Sequence, residues 1–112
     1  MSYVTNVILS FSILEEEEER LKDVNKFSEF IDGGGTQKGF VSVDDKELPT
    51  GWYGGSKMLE APLAIGAFNY LGIEEFKNYL KSIKWGHPEE VQLIIKGQED
   101  DKFSLVDLIN SI

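Results

Sequence analysis

The chain reads as an α+β domain, a two-layer sandwich in which two helices cover one face of a mostly antiparallel sheet. Three observations predict it. Residues Tyr3 to Ile13 alternate with period two, the repeat of a strand whose successive side chains point to opposite faces. Ile73, Phe76, Leu80 and Ile83 fall on one face of a helix, at the 3.6-residue spacing of an amphipathic segment. VQLIIK at 91–96 and the run 103–109 flank a polar, acidic turn, which is the pattern of a hairpin.

In order along the chain, the first strand places Tyr3, Thr5, Val7, Leu9 and Phe11 on one face. A helix follows. Ser12 and Glu15 have the S-x-x-E spacing of a capping box. Glu15 to Glu19 crowd the first turns, where the helix dipole favours negative charge. Glu16 with Arg20 and Glu18 with Lys22 stand at i,i+4. Leu14, Leu21, Val24, Phe27 (or Ser28) and Ile31 form its apolar stripe, and Gly33 is placed to end it. DGGGTQKG at 32–39 reads as a loop, Phe40 to Val43 as a short strand, and DDKELPTGWYGG at 44–55 as a turn-rich stretch. From Met58 to Phe68, Leu59, Ala61, Leu63, Ile65 and Ala67 are expected to share a face. Pro62 has no N–H to give to a ladder and so marks an edge or a bulge. The second helix runs from Ile73 to Lys84, stopped by Gly86 and Pro88, with Lys77, Lys81 and Lys84 towards its C-terminus.

The order β-α-β-β-α-β, with one more strand at the C-terminal side, resembles the split β-α-β layout of ferredoxin-like folds. Residues 1–112 are read as one domain, with no repeat and no linker dividing them. The expected core comprises Val7, Leu9, Leu21, Val24, Leu63, Ile65, Phe76, Leu80, Ile83, Leu93 and Ile95.

Composition narrows the function classes. The 112 residues include no cysteine, which removes disulfides, thiolate metal sites and a cysteine nucleophile, and suits a cytoplasmic protein. MSYVTNVILSFSIL lacks the basic start and small-residue cleavage site of a signal peptide and reads as a strand. The net charge of −9 argues against nucleic acid and anionic membrane as partners, both of which call for a positive surface.

No cofactor, metal or catalytic constellation is expected. The glycines of GGGT at 33–36, with Lys38, follow a helix instead of opening one, so they do not make a phosphate loop. The acidic groups 15–19, 44–47 and 99–101 lack the spacing of a calcium loop. His87 is the sole histidine, and the sequence supplies it with no orienting partner.

What remains is a binding surface. Trp52 and Tyr53 stand in a glycine-flanked loop, the kind of large aromatics enriched as interface anchors. Asp44, Asp45 and Glu47, with Asp100 and Asp101, would form an acidic rim that steers a basic protein. In size, charge and lack of catalytic residues the chain is similar to small acidic immunity proteins and inhibitors that neutralise bacterial toxins or nucleases. That similarity implies a non-enzymatic protein with a basic protein partner. A small-molecule-binding or sensing domain built on the glycine-rich loops, an enzyme with a dispersed site, and self-association into a homo-oligomer are the alternatives.

Overall fold

A computed structural model describes residues 3–28, 39–49, 51–57 and 59–107. Strand β1 (Val4–Ser10) is followed by helix α1 (Glu17–Val24), strands β2 (Val41–Ser42) and β3 (Leu63–Asn69), helix α2 (Ile73–Ser82), a 3₁₀ turn at Pro88–Glu90, and strands β4 (Gln92–Gly97) and β5 (Ser104–Asp107). The sheet order is β2-β3-β1-β4-β5, with every neighbouring pair antiparallel. The α+β class and the antiparallel sheet with two helices agree with the sequence pattern.

The alternation of β1 selects its faces. Thr5, Val7 and Leu9 are buried, and Phe11 continues the same side beyond the strand. Opposite them stand Leu93 and Ile95 of β4 and Ala64 and Phe68 of β3. Val24 of α1 and Phe76 and Leu80 of α2 close over this face in one continuous apolar cluster, with Leu21, Ile73 and Ile83 packed at its margin. Four rings hold the centre. Phe40 lies 5.0 Å from Phe68 and 5.6 Å from Phe76, and Phe27 lies 5.1 Å from Phe76. Trp85 carries the chain out of α2, its ring 5.5 Å from Phe11 and its indole N–H donating to Leu80 O at 3.0 Å, one of the helix-end carbonyls.

β3 corrects the sequence expectation. Its core side is Ala64 and Phe68, whereas Leu63 and Ile65 are only half-buried and face the other way. Both faces of this strand are apolar, so period two alone does not decide which turns inward. The decision follows from Phe68, whose ring needs space that only glycine leaves at position 66. A Cβ on Gly66 would lie 2.4 Å from Phe68 Cζ. Leu59 and Ala61 are exposed and precede the strand, which starts directly after Pro62, where a backbone donor first becomes available.

The start of α1 also differs. Ser12 does not cap it; the helix begins at Glu17, with Glu16 as N-cap and no side-chain cap bond. Ser12 is buried beside the core, and its hydroxyl accepts from Leu14 N at 3.1 Å, while Glu15 N donates to Ser12 O at 3.1 Å. A turn is therefore spent leaving the sheet before the helix opens, and Leu14 in that turn is exposed. The ion pairs are shifted accordingly. Arg20 meets Glu15 at 3.0 Å and Asp23 at 3.1 Å, and Lys22 meets Glu19 at 3.7 Å. The expected stripe residue Ile31, the helix stop at Gly33 and the GGGT segment with Lys38 lie outside the described residues.

Asn25, the C-cap of α1, fastens the helix to β2. Its amide donates to Phe40 O at 3.0 Å, and Phe40 N donates back to Asn25 Oδ1 at 2.7 Å, so the side chain acts as a short piece of neighbouring strand. Asn25→Ala should lose about 1–2 kcal/mol of unfolding free energy in urea titration, the worth of two hydrogen bonds at a half-buried position. Asn25→Asp, which keeps the acceptor and removes the donor, should fall between it and the parent.

Candidate functional site

The loop between β2 and β3 gathers most of the residues expected to bind a partner. Val43 is buried, and the backbone then turns, with Asp45 N donating to Ser42 O at 3.0 Å. Asp45 Oδ1 accepts from Glu47 N at 2.8 Å, and Ser42 Oγ accepts from Asp44 N at 3.1 Å. Such short side-chain bonds let Asp and Ser set a turn in place of a ladder. Gly51, Gly54 and Gly55 all have positive φ, between 69° and 88°, a conformation that side-chain-bearing residues adopt only with strain.

Within this frame the two aromatics are held and presented. Trp52 is 45% exposed, yet its indole N–H donates to Val43 O at 2.7 Å. Tyr53 is half-buried; its hydroxyl donates to Asp44 Oδ1 at 3.3 Å and accepts from Leu59 N at 3.1 Å. The rings meet nearly edge-on at 73°, centroids 5.9 Å apart, an arrangement that aromatic quadrupoles favour. A hollow of about 460 Å³ lies among Asp45, Leu48, Trp52, Tyr53 and Lys57. Asp44 and Glu47 are exposed beside it, and Asp45 is half-buried.

Asp100 and Asp101 do not join this group. The register places the β4–β5 turn at the end of the sheet where β1 begins, whereas β2 runs out into residues 43–49 at the end where β1 finishes. A seven-residue strand separates them, roughly 20 Å. Asp100 is engaged locally: its Oδ2 accepts from Gly97 N at 2.8 Å and its own N–H donates to Gly97 O at 3.1 Å. Asp101 is exposed.

Two further arrangements escaped sequence reading. The 3₁₀ turn after His87 brings Glu89 Oε2 to 3.6 Å and Glu90 Oε2 to 3.9 Å from His87 Nδ1. The ligand atoms of these three residues lie within 4.8 Å of one another, the donor types a divalent cation uses, on side chains open to solvent. The signal was the spacing H-P-E-E, which becomes legible only when Pro88 is known to start a turn.

The second arrangement is the sheet face opposite the helices. The pairing Val41–Ile65, Ile65–Ile8, Ile8–Ile94 and Ile94–Leu105 lays one apolar residue from each of the five strands into a single row. The other four members are half-buried, and Leu105 at the β5 edge is 62% exposed. A groove of about 530 Å³ lies over its β2–β3–β1 part, lined by Asn6, Ile8, Val41, Ile65, Ala67 and Phe103. This row had no sequence signature, because its members lie far apart in the chain and only the register aligns them.

No helix among the described residues is long and apolar enough to cross a membrane. No protein-family model matches the chain, nor does any curated protein or solved structure.

Proposed function

We propose that the chain is a non-enzymatic binding protein of the immunity or inhibitor kind, which docks a basic protein partner, such as a bacterial toxin or nuclease, on the loop 43–57. The observation that carries this reading is Trp52, whose large ring is 45% exposed while its only polar atom is fixed by a 2.7 Å bond to Val43 O. A side chain ordered before contact loses little entropy on binding, and aromatic anchors of this kind concentrate interface energy. Asp44, Asp45 and Glu47 surround it with negative charge on a molecule of net charge −9, which favours rapid encounter with a basic surface. Asp100 and Asp101, at the far end of the sheet, add only long-range attraction.

The experiment is capture of a partner from cell extract on the immobilised protein at low and high salt, followed by binding kinetics of the purified pair. Asp45→Asn should slow association at low salt and matter little at high salt. Trp52→Ala should speed dissociation about thirtyfold at both, the equivalent of about 2 kcal/mol, while the free protein stays folded. Affinity indifferent to salt and to Trp52 would sink the proposal. The 460 Å³ hollow between Trp52, Tyr53 and Lys57 favours a second reading, a small ligand held by this same loop, which would show itself as ligand protection of Trp52 fluorescence from quenching without any macromolecular partner.

A further inference from the structure

The groove on the helix-free sheet face has an apolar floor with Asn6 in its lining, and Lys96 stands beside Asn6 on the neighbouring strand. Lys96 of β4 lies on that face, directly opposite Asn6, whose Nδ2 donates to Lys96 O at 3.2 Å. One hydrogen of the Asn6 amide is thereby used, and the other has no acceptor among the described residues. Nor does Lys96 have a carboxylate within ion-pair distance among them. The chain has 20 acidic residues against 11 basic ones, yet this half-buried lysine has no ion pair among the described residues. It sits two residues along the strands from the row Ile8–Ile65–Val41, on the same face.

We infer that this groove binds an amphipathic monocarboxylate, a straight apolar chain with its carboxylate between Lys96 and Asn6 and its tail across Ile8, Ile65 and Val41. The volume of about 530 Å³ falls in the range of small-molecule sites. From β4 to β2 the row crosses three strand spacings, about 14 Å, which suits a chain of roughly ten carbons. A second copy of the protein is a poorer occupant. The face offers on the order of 400 Å² per copy, about half of what a stable dimer buries on each partner, and pairing two copies brings together two molecules of charge −9.

The test is calorimetric titration of the whole protein with decanoate, octanoate and decan-1-ol. Decanoate should bind about tenfold tighter than octanoate, since each buried methylene contributes about 0.8 kcal/mol. It should bind about fivefold tighter than decan-1-ol, which has the chain without the charge. Lys96→Gln should bring decanoate down to the level of the alcohol and leave the alcohol unchanged. Ala67→Trp, at an exposed position on the groove wall, should remove binding of all three while circular dichroism stays native. The inference is overturned if decanoate shows no saturable binding, if it binds no better than decan-1-ol, or if Lys96→Gln leaves its affinity unaltered. It is equally overturned if sedimentation shows a dimer that Ala67→Trp dissociates, because a second copy then occupies the face. None of these outcomes depends on Trp52, so the loop proposal stands or falls separately.

Discussion

Phe68→Ala should lower the unfolding free energy by about 3–5 kcal/mol, the usual cost of emptying a fully buried ring site. Phe68 is 1% exposed and wedged between Phe40 and the bare backbone of Gly66. Its removal opens a cavity that surrounding rings, themselves fixed against Phe76 and Phe27, are poorly placed to fill. Ile65→Ala, three residues earlier on the same strand, should cost only about 1 kcal/mol, because that side chain faces the groove and is already half in water. Chemical denaturation of the two variants side by side checks which face of β3 is the core. Equal costs would mean that both faces are sealed, and a larger cost for Ile65→Ala would reverse the assignment.

The second large effect concerns Glu15. Its side chain is 2% exposed and accepts three hydrogen bonds: from Gly86 N at 3.1 Å, from His87 N at 2.7 Å, and from Arg20 Nε at 3.0 Å. One carboxylate thus ties the entrance of α1 to the turn that follows α2. Burial would raise its pKa, but the N–H groups of His87 and Gly86 together with Arg20 outweigh it, and the pKa is lowered from its ordinary value of 4.5. A carboxyl with a depressed folded pKa stabilises the fold above its unfolded pKa and loses that contribution as pH falls through the folded one. Glu15→Gln should therefore cost about 2–3 kcal/mol at neutral pH, where two backbone donors and a guanidinium lose a charged acceptor. The gap between parent and variant should hold down to about pH 4.5 and narrow below it. Urea titrations from pH 7 to pH 3 measure this directly; a gap that stays constant over the range would show that Glu15 is not the titrating group.

Glu15 also illustrates where the sequence was legible and where it was not. Each strand and helix that depends on a local period was readable: β1 from its alternation, α2 from Ile73, Phe76 and Leu80, and the β4–β5 hairpin from its acidic turn. The capping box was misleading because S-x-x-E is a statement about four consecutive residues, and the strongest partners of Glu15 are backbone donors seventy positions away. The facing of β3 was ambiguous for a different reason. With Leu63, Ile65 and Ala67 on one side and Ala64 and Phe68 on the other, hydrophobicity supplies no contrast, and the discriminating feature is the empty volume at Gly66. The loop aromatics were found by composition alone, since Trp and Tyr between glycines stand out, but that Trp52 is pinned to Val43 is a tertiary fact. The row Leu105, Ile94, Ile8, Ile65 and Val41 belongs to no segment and could not be found without the register.

The central place of β1 has a consequence for how the molecule comes to exist. Val7 lies against Gly66 on one side and Ile95 on the other, so β1, the earliest strand of this sheet in the chain, has both edges paired only when β4 is made. Neither neighbour is close in the chain, and high contact order of this kind slows folding, because the entropy of closing long loops must be met before the pairing rewards it. During synthesis one edge of β1 waits unpaired until residue 97 has emerged, and its apolar side, Val7, Leu9 and Phe11, waits for α2 to complete its cover. The five consecutive glutamates at 15–19 follow that strand immediately, and their mutual repulsion discourages nascent chains from pairing with one another while they wait.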